Sequence, residues 1–149
     1  MFEEITNPYA KSIKETIELC GEKIQFLSQN PDFPELVVLG QKILPNEKRK
    51  GLAFVLQEAG LELKPACYLA AEEINLVKTL EGIDPQKTIC IDTFSSKLLF
   101  EAYDAKVSKR EFAEGICAVF GRPTLLFSDL EKSYAANRIG CLKKLSVLK

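Results

Sequence analysis

The residues of this chain that could do chemistry stand just past its short apolar runs. Lys42, Lys48, Arg49 and Lys50 form a basic cluster beyond Leu36-Val37-Val38-Leu39-Gly40, with Gln41 between. Asp92 and Thr93 follow Thr88-Ile89-Cys90-Ile91, and Ser128 and Asp129 follow the run from Thr124 to Phe127. Carboxylates near a lysine have the groups for acid–base work. Clustered cations suit a phosphate, or a weak and salt-sensitive contact with nucleic acid. Each feature also has a structural use. A charged run is usually a solvated segment leading into a helix. Asp92, Thr93 and Ser95 compete as helix caps. Ser128 with Glu131 spells a capping box. Neither a P-loop nor a GxGxxG occurs, so the phosphate reading has no motif behind it.

The chain has no histidine. That removes a Ser-His-Asp triad, a Cys-His dyad and every imidazole metal ligand. The five cysteines are odd in number and irregularly spaced, with no CxxC pair. They read as reduced, buried structural thiols of a cytosolic protein, not as a zinc or iron–sulfur framework. No metal or other cofactor is expected. A net charge of −1 provides no global field to draw nucleic acid or acidic membranes. No apolar stretch reaches the length of about 18 residues that spans a bilayer, so no membrane association is expected.

The elements that must position these residues follow from periodicity. Short apolar runs rich in Val, Ile and Leu suit strands buried on both faces. They fall at Leu36 to Leu39, Ala66 to Leu69 and Thr88 to Ile91. Ile116 to Phe120 and Thr124 to Phe127 flank Gly121-Arg122-Pro123, which predicts a hairpin with one strand at an edge. Between the runs lie helical patterns. Pro45 and Asn46 open one whose face is Leu52, Val55, Leu56 and Ala59, with Gly60 as its left-handed cap. Another is expected over Glu72 to Leu80 with Ile74, Val77 and Leu80 inward, and a short one with Leu98, Leu99 and Ala102 inward. A last helix is expected after Ser128, with Leu130, Ile139, Leu142 and Leu145 as its face and Lys143, Lys144 and Lys149 complementing its dipole. Residues 1–30 carry a stripe of Tyr9, Ile13, Ile17, Cys20, Ile24 and Leu27, which predicts an N-terminal helix packed on the sheet.

Strands alternating with helices predict a single α/β domain over residues 1–149. The expected architecture is three-layer, with a mostly parallel sheet of four to five strands and an antiparallel edge.

The phrases VVLGQ, KILPNEKRKG, LAFVLQEAGL and CYLA resemble the first half of the uracil-DNA glycosylase fold. That fold opens with a strand, a glycine turn, a long loop, a helix and an aromatic-bearing strand. The stretch PTLLFSDLEKSYAANRIGCLKKL has the layout of the end of that fold. It is also similar to the end of bacterial replicative polymerase psi subunits, which resemble the fold without its chemistry. The glycosylases place a water-positioning acid or amide after the first glycine and a histidine before the last helix. Here Gln41-Lys42-Ile43 and Ser128-Asp129 stand at those places. The resemblance therefore implies the scaffold without its catalytic groups.

The expected function is that of a non-catalytic accessory protein acting through a protein partner, in a psi-like place within a replication assembly. The alternative is an enzyme or binder of small phosphorylated molecules. Its site would gather Gln41, Lys42, Asp92, Thr93, Ser128 and Asp129 at the carboxyl ends of the strands. Weak DNA contact through Lys42, Lys48, Arg49 and Lys50 is a third, narrower expectation.

Overall fold

A computed structural model of the chain describes residues 24–26, 35–61, 66–106, 108–119 and 121–149. In chain order the elements begin with strands β1 (Ile24–Phe26) and β2 (Leu36–Gly40), helix α1 (Asn46–Glu58) and strand β3 (Ala66–Ala70). Helix α2 (Leu76–Ile83), strand β4 (Lys87–Cys90) and helices α3 (Thr93–Tyr103) and α4 (Lys109–Glu114) follow. The hairpin β5 (Ile116–Val119) and β6 (Arg122–Leu126) leads to α5 (Leu130–Ala136) and α6 (Arg138–Leu145).

One six-stranded sheet takes the order β1-β3-β2-β4-β6-β5. Its inner strands β3, β2, β4 and β6 are parallel, and β1 and β5 add antiparallel at the two edges. Side chains on successive strand residues point to opposite faces, and β2 shows what this does. Leu36 and Val38 join the core under α1, α5 and α6, while Val37 and Leu39 join the core under α2 and α3. All four are buried. The protein is thus the expected three-layer α/β domain, with one strand more than expected.

That extra strand is β1. Ile24, Gln25 and Phe26 pair with Leu69, Tyr68 and Cys67 of β3, so the N-terminal helix does not run through them. The alternation Ile-Gln-Phe fits a period of two as well as it fits a helical stripe, and a short segment cannot separate the two patterns. The rest of that expected helix lies outside the described residues.

Three other expectations shift by a few residues. Helix α2 starts at Leu76 behind an Asn75 cap, with a 3-10 turn over Ala71–Glu73 before it. It buries Leu76, Leu80 and Ile83 and leaves Val77 partly exposed. In α3, Leu99 is buried and Ala102 is exposed. The last helix is broken at Asn137, which caps α6 by accepting from the Gly140 N–H. The break turns Ile139 outward to 82% exposure, while Leu130, Cys141 and Leu145 remain buried.

Other readings hold. Gly60 has φ of 84°, in the left-handed region expected past α1. Pro123 lies in β6, which has a neighbour on each side. The ladder to β4 begins only at the pair Thr88 and Thr124, so the missing N–H interrupts nothing there. Cys67, Cys90, Cys117 and Cys141 are free and buried. Cys20 lies outside the described residues.

Candidate functional site

The connections from β2 and β4 leave in opposite directions. From β2 the chain passes through α1 to β3 on one side, and from β4 it passes through α3 to the hairpin on the other. Helix α1 packs on one face and α3 on the other. A crevice opens between the carboxyl ends of two such strands, and this is where open α/β sheets take ligands. Gln41 and Asp92 stand there, one residue beyond β2 and two beyond β4.

Both oxygens of the Asp92 carboxylate accept from backbone. Its Oδ2 accepts from the Gln41 N–H at 2.9 Å, and its Oδ1 accepts from the Ser95 N–H at 2.7 Å, capping α3. Its carbonyl accepts from the Ser95 and Ser96 hydroxyls. Asp92 also forms a β-bridge with Asp129. The carboxylate therefore pins the start of α3 to the end of β2.

Asp129 caps α5 by accepting from the Lys132 N–H at 3.1 Å. The cap is one residue later than the Ser128 box expected from sequence, because Asp129 has the extended backbone of an N-cap and Leu130 opens the helix. The Gln41 side chain donates to Glu72 Oε2 at 3.2 Å, and the Gln41 carbonyl accepts from the Glu72 N–H.

The basic cluster is not one patch. Lys48, Arg49 and Lys50 fall in the first turns of α1, where successive side chains point about 100° apart. Lys48 lines a cleft of about 150 Å³ with Asp92, Asp129, Glu131 and the apolar Leu44, Ile91 and Leu130. Lys42 and Lys50 are exposed and line neither this cleft nor the pocket described next. Arg49 turns towards the sheet. Among the described residues neither its Nε nor the Tyr68 hydroxyl, both buried, has a hydrogen-bond partner. Burial drives the Tyr68 phenol far above its ordinary value of 10.0, with the Arg49 charge opposing.

Thr93 and Ser128 belong to a second pocket, of about 250 Å³, beyond the ends of β4 and β6. Lys144 from α6 enters it. Lys144 Nζ donates to the Leu126 carbonyl and lies 4.1 Å from the centroid of the Phe127 ring. Burial holds its ammonium below the ordinary 10.5. Sequence reasoning assigned Lys144 to the helix dipole. Its spacing from Cys141 and Leu148, both buried, places it on the inward stripe, and that signal was present.

The expected residues therefore divide. Lys48, Asp92 and Asp129 meet in one cleft, joined by Gln41 through its bond to Asp92. Thr93 and Ser128 meet around Lys144. Among the described residues no group of three or more His, Cys, Asp or Glu side chains could hold a metal. No helix among them is long and apolar enough to cross a membrane. Compared with protein families, curated proteins and solved structures, the chain matches none.

Proposed function

We propose that this chain is a non-catalytic accessory protein that works by binding another protein, in keeping with its resemblance to the psi subunits of replicative polymerases. One observation carries the reading. At the switch point, where an α/β enzyme would hold its working carboxylate, each oxygen of Asp92 already accepts from a backbone N–H group. A base must reach a substrate proton at hydrogen-bond distance. Asp92 instead ties β2 to α3. Asp129 gives one oxygen to a helix cap, and the Gln41 amide is turned to Glu72. Base excision on this scaffold needs a positioned water and a donor to the leaving base. At the matching places the Gln41 amide is bonded to Glu72 and one Asp129 oxygen caps a helix.

Two measurements test the reading. Affinity capture from the host, followed by reconstitution from purified parts, is expected to return a replication protein in a complex of fixed stoichiometry. Return of no replication protein would count against the proposal. Incubation with uracil-containing single- and double-stranded DNA is expected to produce no abasic sites. Abasic sites that vanish in Gln41→Ala or Ser128→Ala would make the chain a glycosylase with an unusual donor.

A further inference from the structure

We propose that the pocket around Lys144 binds a single phosphate group, such as that of a phosphate monoester. This goes beyond partner binding and does not depend on it. Lys144 is half-buried and has no carboxylate within ion-pair distance among the described residues. A desolvated ammonium without a counter-ion is costly. The Leu126 carbonyl and the face of Phe127 offset part of that cost. One of the three ammonium donors goes to the Leu126 carbonyl, and among the described residues Nζ makes no other hydrogen bond.

Thr93, Ser128 and Ser133 border the pocket, and none of their hydroxyls makes a hydrogen bond within the described residues. Among the described residues no acidic side chain lines it, and Asp92 and Asp129 line the neighbouring cleft. An ammonium with several hydroxyl donors and no acid selects an oxyanion over a cation or an apolar group. The tetrahedral phosphate, with acceptors in several directions, uses donors that arrive from α3, α5 and α6 at once.

The backbone also leaves room for the ammonium. Gly115 has φ of 70°, and a Cβ there would lie 2.2 Å from Lys144 Nζ and 2.4 Å from the Leu126 carbonyl oxygen. Only glycine leaves room for the ammonium where it stands. The pocket also lies beyond the carboxyl ends of parallel strands.

A single half-buried lysine with hydroxyl donors implies weak affinity for a lone phosphate. The test is a titration of the labelled full chain with inorganic phosphate, followed by amide NMR, with chloride at matched ionic strength as reference. Saturable shifts centred on Gly115, Ser128 and Ser133 are expected. They should be lost in Lys144→Met and retained in Lys132→Met, which removes an exposed lysine that lines neither pocket. If Lys144→Met does not fold, Ser133→Ala should weaken the wild-type affinity severalfold. Shifts centred on Lys42 to Lys50, shifts that do not saturate, or unchanged affinity in Ser133→Ala would overturn the proposal. Acetate binding more tightly than phosphate would also overturn it. None of these outcomes bears on whether a partner protein is captured, so the two proposals fail separately.

Discussion

Asp92 joins two segments that are 51 residues apart, and its chemistry sets what each substitution should do. Asp92→Asn preserves the shape and one oxygen, which can still cap α3. The new NH₂ group must then face one of the two backbone N–H donors, leaving that donor unpaired. Loss of a partly buried charge-assisted hydrogen bond predicts a cost of about 1–2 kcal/mol. Asp92→Ala removes the cap as well and should cost about 1 kcal/mol more. Urea unfolding checks this, as a lower midpoint with unchanged slope. An Asp92→Asn midpoint equal to that of the wild type would show that the clamp does not hold the fold. Half of this role was legible in the sequence. Asp92 stands where a cap belongs, and the Ser95 bond is local. Its bond to Gln41 depends on β2 and β4 lying side by side, which no local pattern states. Lys144 was missed for a related reason. A lysine near a helix end has an adequate local explanation in the dipole, and the pocket it enters is made by other elements.

Helix α4 and the hairpin after it show how one glycine can do two jobs. Gly115 ends α4 with its N–H bonded to the Glu111 carbonyl, and its own carbonyl accepts from the Leu126 N–H at 2.7 Å. It is left-handed and also crowded by Lys144 and Leu126. Gly121, in the hairpin turn, has φ of 81° with no heavy atom within 4 Å of a Cβ placed there. Ala at either site carries the left-handed penalty of roughly 1–2 kcal/mol. At position 115 the Cβ must also displace a backbone carbonyl, so Gly115→Ala should cost at least about 1 kcal/mol more than Gly121→Ala. Thermal melts of the two variants compare them directly, and equal losses would contradict the crowding. At this scale much was readable. Strands β2 to β6 and the buried face of α1 follow from short apolar runs and three-to-four spacing, since burial on two faces leaves few alternatives. The failures have one cause. At β1, at the Ser128–Asp129 cap and at the Asn137 break, two local solutions of similar energy were written into the same residues. Tertiary contacts chose between them.

Two carboxylates, one on each side of the sheet, tie neighbouring elements at the rims. Glu58 of α1 accepts from the Tyr134 hydroxyl at 2.7 Å and from Arg138 Nε at 3.0 Å, tying α1 to α5 and α6. Glu81 of α2 accepts from the Tyr103 hydroxyl at 2.7 Å and from Arg122 at 3.1 Å, tying α2 to α3 and β6. The Tyr134 and Arg138 bonds hold the Glu58 carboxyl below its ordinary 4.5, and the Tyr103 and Arg122 bonds do the same for Glu81. The sign of the pH dependence follows. Between the folded pKa and 4.5 the unfolded chain binds more protons than the folded one, so stability rises with pH across that window. The contribution of each carboxylate is complete above 4.5 and is lost as pH falls through its folded value. The melting temperature should therefore change little between about pH 7 and pH 5 on account of these groups, and fall below 4.5. In a Glu58→Gln, Glu81→Gln double variant the plateau should be lower and the acid fall shallower. The two curves should converge at the acid end, where the wild-type carboxylates have become neutral too. Both residues are open to solvent on one side, so added salt should narrow the gap between the curves at neutral pH. Parallel curves, with the same acid slope in both proteins, would mean that these rim contacts do not couple folding to protons.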